Sequence, residues 1–68
     1  MNIFKERLQQ LRIDANLTQL QLAKILNTTQ RRISYFETGK VEPDLDTLIA
    51  IAKFFGTSVD YLVGLIEY

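Results

Sequence analysis

Sixty-eight residues with no cysteine and no histidine make one domain with a thin core, burying only about 60% of its unfolded surface and without a disulfide or thiolate-held metal to brace it. A hydrophobic content of 47% against 24% charged residues excludes a disordered chain; the apolar runs are too short to span a bilayer, and the charged start (Lys5, Glu6, Arg7, Arg12, Asp14) excludes a signal peptide, so the cytoplasm is the expected compartment. The net charge is zero but divided: residues 1–40 hold seven bases (Lys5, Arg7, Arg12, Lys24, Arg31, Arg32, Lys40) against three acids, and residues 41–68 hold Lys53 against Glu42, Asp44, Asp46, Asp60 and Glu67, which points to one face for anions and an opposite end kept away from them.

In chain order, the first helix is expected from Asn2 or Ile3 to Ala15, with Phe4, Leu8 and Leu11 as its inner stripe. Asn16 suits a left-handed terminus, and Leu17 drops into the core. A second helix follows from about Thr18 to Leu26. Thr18 is its N-cap, Gln21 completes a capping box, and Leu22, Ala23 and Leu26 form one apolar face. Asn27 ends it, Thr29 caps the next, and a third helix runs from about Gln30 to Glu37. Ile33 and Phe36 point it inward, leaving Gln30, Arg31, Ser34 and Tyr35 outside. Thr38, Gly39 and Lys40 end that helix, with Gly39 able to take positive φ. Pro43 biases Glu42 away from helix, so residues 39–43 form a loop. Asp44 is placed to cap a fourth helix reaching Phe55, with Leu45, Leu48, Ile51, Ala52 and Phe55 inward, and Gly56 stops it. Ser58 caps a short fifth helix through Val63, with Asp60 in its first turn where the macrodipole favours an acid. Val59 and Leu62 belong to its core face, and Gly64 ends it. The expected architecture is a compact all-α, five-helix single domain over residues 1–68, without linkers or repeats.

Residues 18–37, TQLQLAKILNTTQRRISYFE, hold two capped helices and a tight turn. The second helix buries two residues and shows amide, guanidinium, hydroxyl and phenol groups. Gln and Arg carry the paired donors and acceptors that match adenine and guanine edges. Together with Leu8, Leu11-Arg12, Leu17-Thr18-Gln19, Leu22-Ala23, Ile33, Phe36-Glu37, Gly39-Lys40, Pro43, Leu48, Ile51-Ala52, Ser58 and Leu62, the stretch closely resembles the helix-turn-helix of the phage-repressor and Cro-type (XRE) family, from Phe4 to Gly64. The resemblance implies that the first helix of the pair lies across double-stranded DNA and the second enters the major groove. It assigns base reading to Gln30, Arg31 and Tyr35, with Ser34 as a weaker candidate. It assigns phosphate contacts to Gln19, Thr29, Arg32, Lys40 and Asn16, the backbone N–H of Gln19 also facing the anion. It implies a structural ion pair between Arg12 and Glu37, joining the first helix to the end of the third. Two readings stand for Tyr35: contact with a thymine methyl or a base through its hydroxyl, or packing along the neighbouring backbone.

The family's usual form is a two-fold dimer on a pseudo-palindrome. Tyr61, Val63, Leu65, Ile66 and Tyr68 have no obvious inward partner, and such a patch marks an interface. Residues 59–68 are thus the expected homodimer segment, with the loop at Glu42 and Pro43 as a possible addition. The alternative is that Leu65, Ile66 and Tyr68 fold back over the monomer's own core. The implied function is a stand-alone transcriptional repressor. No catalytic constellation, cofactor motif, metal-ligand spacing or small-molecule site is legible. The rival reading is a protein-interaction module, such as an antitoxin-type regulator, which the neutral net charge mildly favours.

Overall fold

In the computed structural model, which describes residues 2–67, five α-helices follow one another: α1 (Asn2–Asp14), α2 (Gln19–Ile25), α3 (Gln30–Thr38), α4 (Leu45–Phe55) and α5 (Val59–Val63). The all-α architecture is the expected one. Among the described residues there is no strand, and no helix is long and apolar enough to cross a membrane.

The helix ends follow from local chemistry. Thr18 takes an extended backbone and its hydroxyl accepts from the Gln21 N–H at 3.0 Å, while Gln21 Oε1 accepts from the Thr18 N–H at 2.8 Å. This capping box satisfies two donors that the first turn leaves unpaired. The Thr29 hydroxyl accepts from the Arg32 N–H, and the Ser58 hydroxyl from the Tyr61 N–H. Asn16 and Asn27 end α1 and α2 with φ of 58° and 57°, the left-handed conformation that Asn tolerates better than most residues.

Asp44 stands where expected, without the expected side-chain bond. It occupies the N-cap of α4, but its side chain bonds no helix N–H. Its carboxylate accepts from the Thr47 hydroxyl instead, and Oδ1 lies 3.4 Å from Nη2 of Arg32. Chiefly the Thr47 hydroxyl, with Arg32 helping, holds the Asp44 carboxyl below its ordinary range.

Phe4 and Leu8 of α1, Leu22 and Ala23 of α2, Ile33 and Phe36 of α3, Leu48, Ile51 and Ala52 of α4 and Leu62 of α5 are buried together. Leu11, Leu17, Leu26, Phe55 and Val59 pack partly buried around them. The Phe4 and Phe36 rings meet edge to face, 6.2 Å between centroids, an arrangement their quadrupoles favour. Leu45 does not join this core: it is 65% exposed. It opens α4 nearly in line with Ala52, two turns on, but the packing that buries Ala52 does not extend back to the helix's first residue.

The C-terminal segment turns back onto α1. Arg7 lies over the Tyr61 ring at 4.1 Å, and its Nη1 donates to the carbonyl of Tyr61 and, at 2.7 Å, to that of Ile66. Tyr61 and Val63 both pack partly buried against the core. The expectation that they lack an inward partner is therefore corrected. A short helix places both beside α1, where Arg7 and the core supply the missing contacts.

Candidate nucleic-acid interface

The outward face of α3 depends on how firmly its inward face is held. Ile33 and Phe36 are buried in the core. One turn away, Glu37 is buried too, its side chain 2% exposed. Arg12 Nε donates to Glu37 Oε2 at 2.7 Å and Nη2 to Oε1 at 3.1 Å, the parallel pair of bonds that a guanidinium and a carboxylate form. Arg12 Nη1 also donates to the Leu17 carbonyl at 2.8 Å. The ion pair expected from the resemblance is thus present. Gln19 adds a member that the sequence did not reveal: its Nε2 donates to Glu37 Oε1 at 3.2 Å. One buried carboxylate ties together α1, the start of α2 and the end of α3.

With Ile33, Phe36 and Glu37 turned inward, helical geometry dictates where the rest point. Arg31 and Tyr35, four apart, share the outward face with Ser34. Gln30 lies on the flank shared with Glu37, and Arg32 on the opposite flank, toward α4. Gln30 and Arg31 are exposed, and Ser34 and Tyr35 half-buried. Among the described residues the Arg31 side chain takes part in no hydrogen bond or ion pair. Lys40 follows the helix, its Nζ 5.4 Å from the centre of the Tyr35 ring, so the phenol packs beside a cation. Four polar side chains, two exposed and two half-buried, therefore line the outward side and one flank of a nine-residue helix, about 13 Å long.

The candidate phosphate contacts surround that surface. Thr29 stands at the N-cap of α3 and Lys40 just past its C-cap. Asn16 is exposed at the end of α1. Gln19 is half-buried and spends one amide hydrogen on Glu37, which leaves the second for another acceptor. Arg32 is exposed but engaged, pairing with Asp44 and lying 5.2 Å over the Phe36 ring. The expectation that the acidic part, residues 41–68, forms an end kept away from the anion-facing surface is corrected at one point by that pair: Asp44 faces the flank of α3. The covering of the C-terminal residues also differs from one to the next. Tyr61, Val63 and Ile66 are half-buried, Leu65 is 74% exposed, and Tyr68 lies outside the described residues. Arg7, which holds this segment, was not legible as a functional residue, because a lone arginine in an amphipathic helix shows no sign of a partner 54 residues away.

Comparison with known proteins agrees with this geometry. A family model described as Helix-turn-helix matches residues 8–62. The chain is 47% identical over 61 residues to the HTH-type transcriptional activator BcrR of Enterococcus faecalis, covering 90% of this chain and 30% of that protein. It is 36% identical over 59 residues to the HTH-type transcriptional regulator ImmR of Bacillus subtilis, covering 87% of this chain and 46% of that protein. The chain thus spans from under a third to about half of the length of these relatives. Among solved structures, the P22 c2 repressor in complex with a synthetic operator superposes with a TM-score of 0.83 at 30% identity, covering 88% of this chain and 91% of that one. A family model reaching from the middle of α1 into α5, the same fold in the P22 c2 repressor and a third helix anchored through Arg12 and Glu37 lead to one conclusion: the chain belongs to the helix-turn-helix family of phage-repressor and Cro-type proteins.

Proposed function

We propose that this chain is a sequence-specific reader of double-stranded DNA that regulates transcription. The observation that carries the reading is the polar surface of exposed Gln30 and Arg31 with half-buried Ser34 and Tyr35, on a helix locked from behind by buried Ile33, Phe36 and Glu37. In this docking α3 enters the major groove, Arg31 and Gln30 meet purine edges, and Gln19, Thr29, Arg32, Lys40 and Asn16 meet phosphates. Tyr35 reads a base or packs beside Lys40. Repression is the favoured direction of control, supported by a similarity that spans nine-tenths of the P22 c2 repressor chain. A bound domain blocks a promoter without any further activity, so the reading assigns no catalysis and no cofactor, and it places the protein in the cytoplasm. A homodimer would set two recognition helices about 34 Å apart, one turn of DNA.

The test is a salt titration of binding to plain duplex, followed by selection from a random duplex pool. Binding that weakens steeply as salt rises, with one motif enriched as inverted half-sites, is the expected result. Absence of duplex binding at low salt would overturn the reading and favour a module that acts through a protein partner.

A further inference from the structure

Asp44 ends the loop between α3 and α4, and its carboxylate faces the flank of the recognition helix, 3.4 Å from the Arg32 guanidinium. Arg32 also lines a cleft of about 240 Å³ whose wall includes Asp46. The cation assigned above to a phosphate thus has one carboxylate in contact within the chain, and a second acid lines the same cleft. Asp44 stands at the N-cap of α4 without a side-chain capping bond, its carboxylate taking the Thr47 hydroxyl instead. Both side chains are open to solvent, 45% and 60% exposed, so a phosphate oxygen can compete with the carboxylate for the guanidinium.

We propose that Asp44 restrains DNA binding by occupying Arg32, lowering affinity for every duplex by a similar factor and leaving base preference to Arg31 and its neighbours. The proposal rests on the docking argued above. Its physical basis is that affinity for the DNA backbone grows with the number of phosphates neutralised and counterions released. An arginine already paired to a carboxylate releases less than one full counterion. It must also leave behind a negative charge beside the phosphate it contacts.

The test compares the parent chain with Asp44→Asn on two duplexes, a selected site and an unrelated sequence, over a salt series. Asn is as good an N-cap as Asp, so α4 keeps its start; a second variant, Asp44→Ser, and melting curves for both check the fold. Both duplexes are expected to be bound about two- to fivefold more tightly, the span of exposed ion pairs. Their ratio is expected to hold, and the slope of log affinity on log salt to steepen by up to about 0.9. The gain is expected to shrink when Asp44→Asn is placed in an Arg32→Ala background. Unchanged or weaker binding overturns the proposal, as does a gain confined to the selected site or undiminished without Arg32. If the parent chain binds no duplex, the DNA reading falls and this proposal with it. If the parent binds and the variants match it, only this proposal falls.

Discussion

Glu37 shows how one residue serves function without meeting a ligand. Its buried carboxylate takes two bonds from Arg12 and one from Gln19, and Arg12 itself is only 14% exposed. Removing one partner strands the other's charge away from water. Glu37→Ala is expected to cost about 3–5 kcal/mol in urea unfolding. Replacing Arg12 and Glu37 together by Met and Leu should cost much less than Glu37→Ala alone; equal losses would show that the stranded charge is not the cause. Arg31 sits at the opposite extreme, exposed and unpaired among the described residues. Arg31→Ala should leave stability within about 0.5 kcal/mol while weakening binding to a selected site by about 1–3 kcal/mol and relaxing one base position. Lys40→Ala should weaken all duplexes alike and flatten the salt slope. Identical behaviour of the two variants on selected and unrelated duplexes would show that Arg31 reads no base.

At the scale of elements, α5 is the most dependent on its surroundings. Five residues are too few for a helix to persist alone in water. The element stands because Ser58 caps it, Leu62 is buried and Arg7 holds the Tyr61 carbonyl. Gly64 closes it with φ of 90°, a left-handed conformation that costs other residues about 1–2 kcal/mol. A Cβ there would also lie 2.5 Å from Cγ2 of Ile3 on α1. Gly64→Ala should therefore destabilise by more than the left-handed term alone, because Ile3 must move as well. Chemical unfolding of this variant beside Gly56→Ala provides the control, since a Cβ at Gly56 meets nothing within 4 Å and faces only the backbone term. Equal losses at the two sites would mean that the close approach to Ile3 carries no cost.

At the scale of the whole molecule the open matter is assembly. The C-terminal patch divides once folded. Tyr61 and Val63 pack against the core, Ile66 is held through its carbonyl, and Leu65 projects with 74% of its surface exposed. The proposed dimer would thus rest on Leu65 and the exposed edges of its neighbours. Leu65→Asp should leave the melting temperature of a dilute, monomeric sample nearly unchanged, because the residue contributes little to the core. It should also shift sedimentation from dimer toward monomer and weaken binding to a two-half-site duplex far more than to a single half-site. A parent chain that sediments as a monomer at high concentration would end the dimer proposal.

The sequence by itself determined the parts of this protein governed by local chemistry. Thr18 with Gln21, Thr29 and Ser58 at helix starts, and Asn16, Asn27, Gly39, Gly56 and Gly64 at helix ends, act on neighbours a few residues away. The apolar spacing of α1 to α5 likewise marked nearly all of the core, because helical periodicity converts directly into a buried face. Leu45 escaped that rule because the packing that buries the rest of the α4 stripe does not reach the helix's first residue, which stays 65% exposed. The family pattern supplied the pairing of Arg12 with Glu37 and the candidate reading residues. Only the tertiary structure decided which polar side chains spend themselves within the fold: Gln19 on Glu37, Arg32 on Asp44, and Arg7 on the carbonyls of Tyr61 and Ile66. These partners lie between 12 and 59 residues apart. Long charged and amide side chains leave no periodic trace in the sequence to show which of many partners the packed helices will bring within reach.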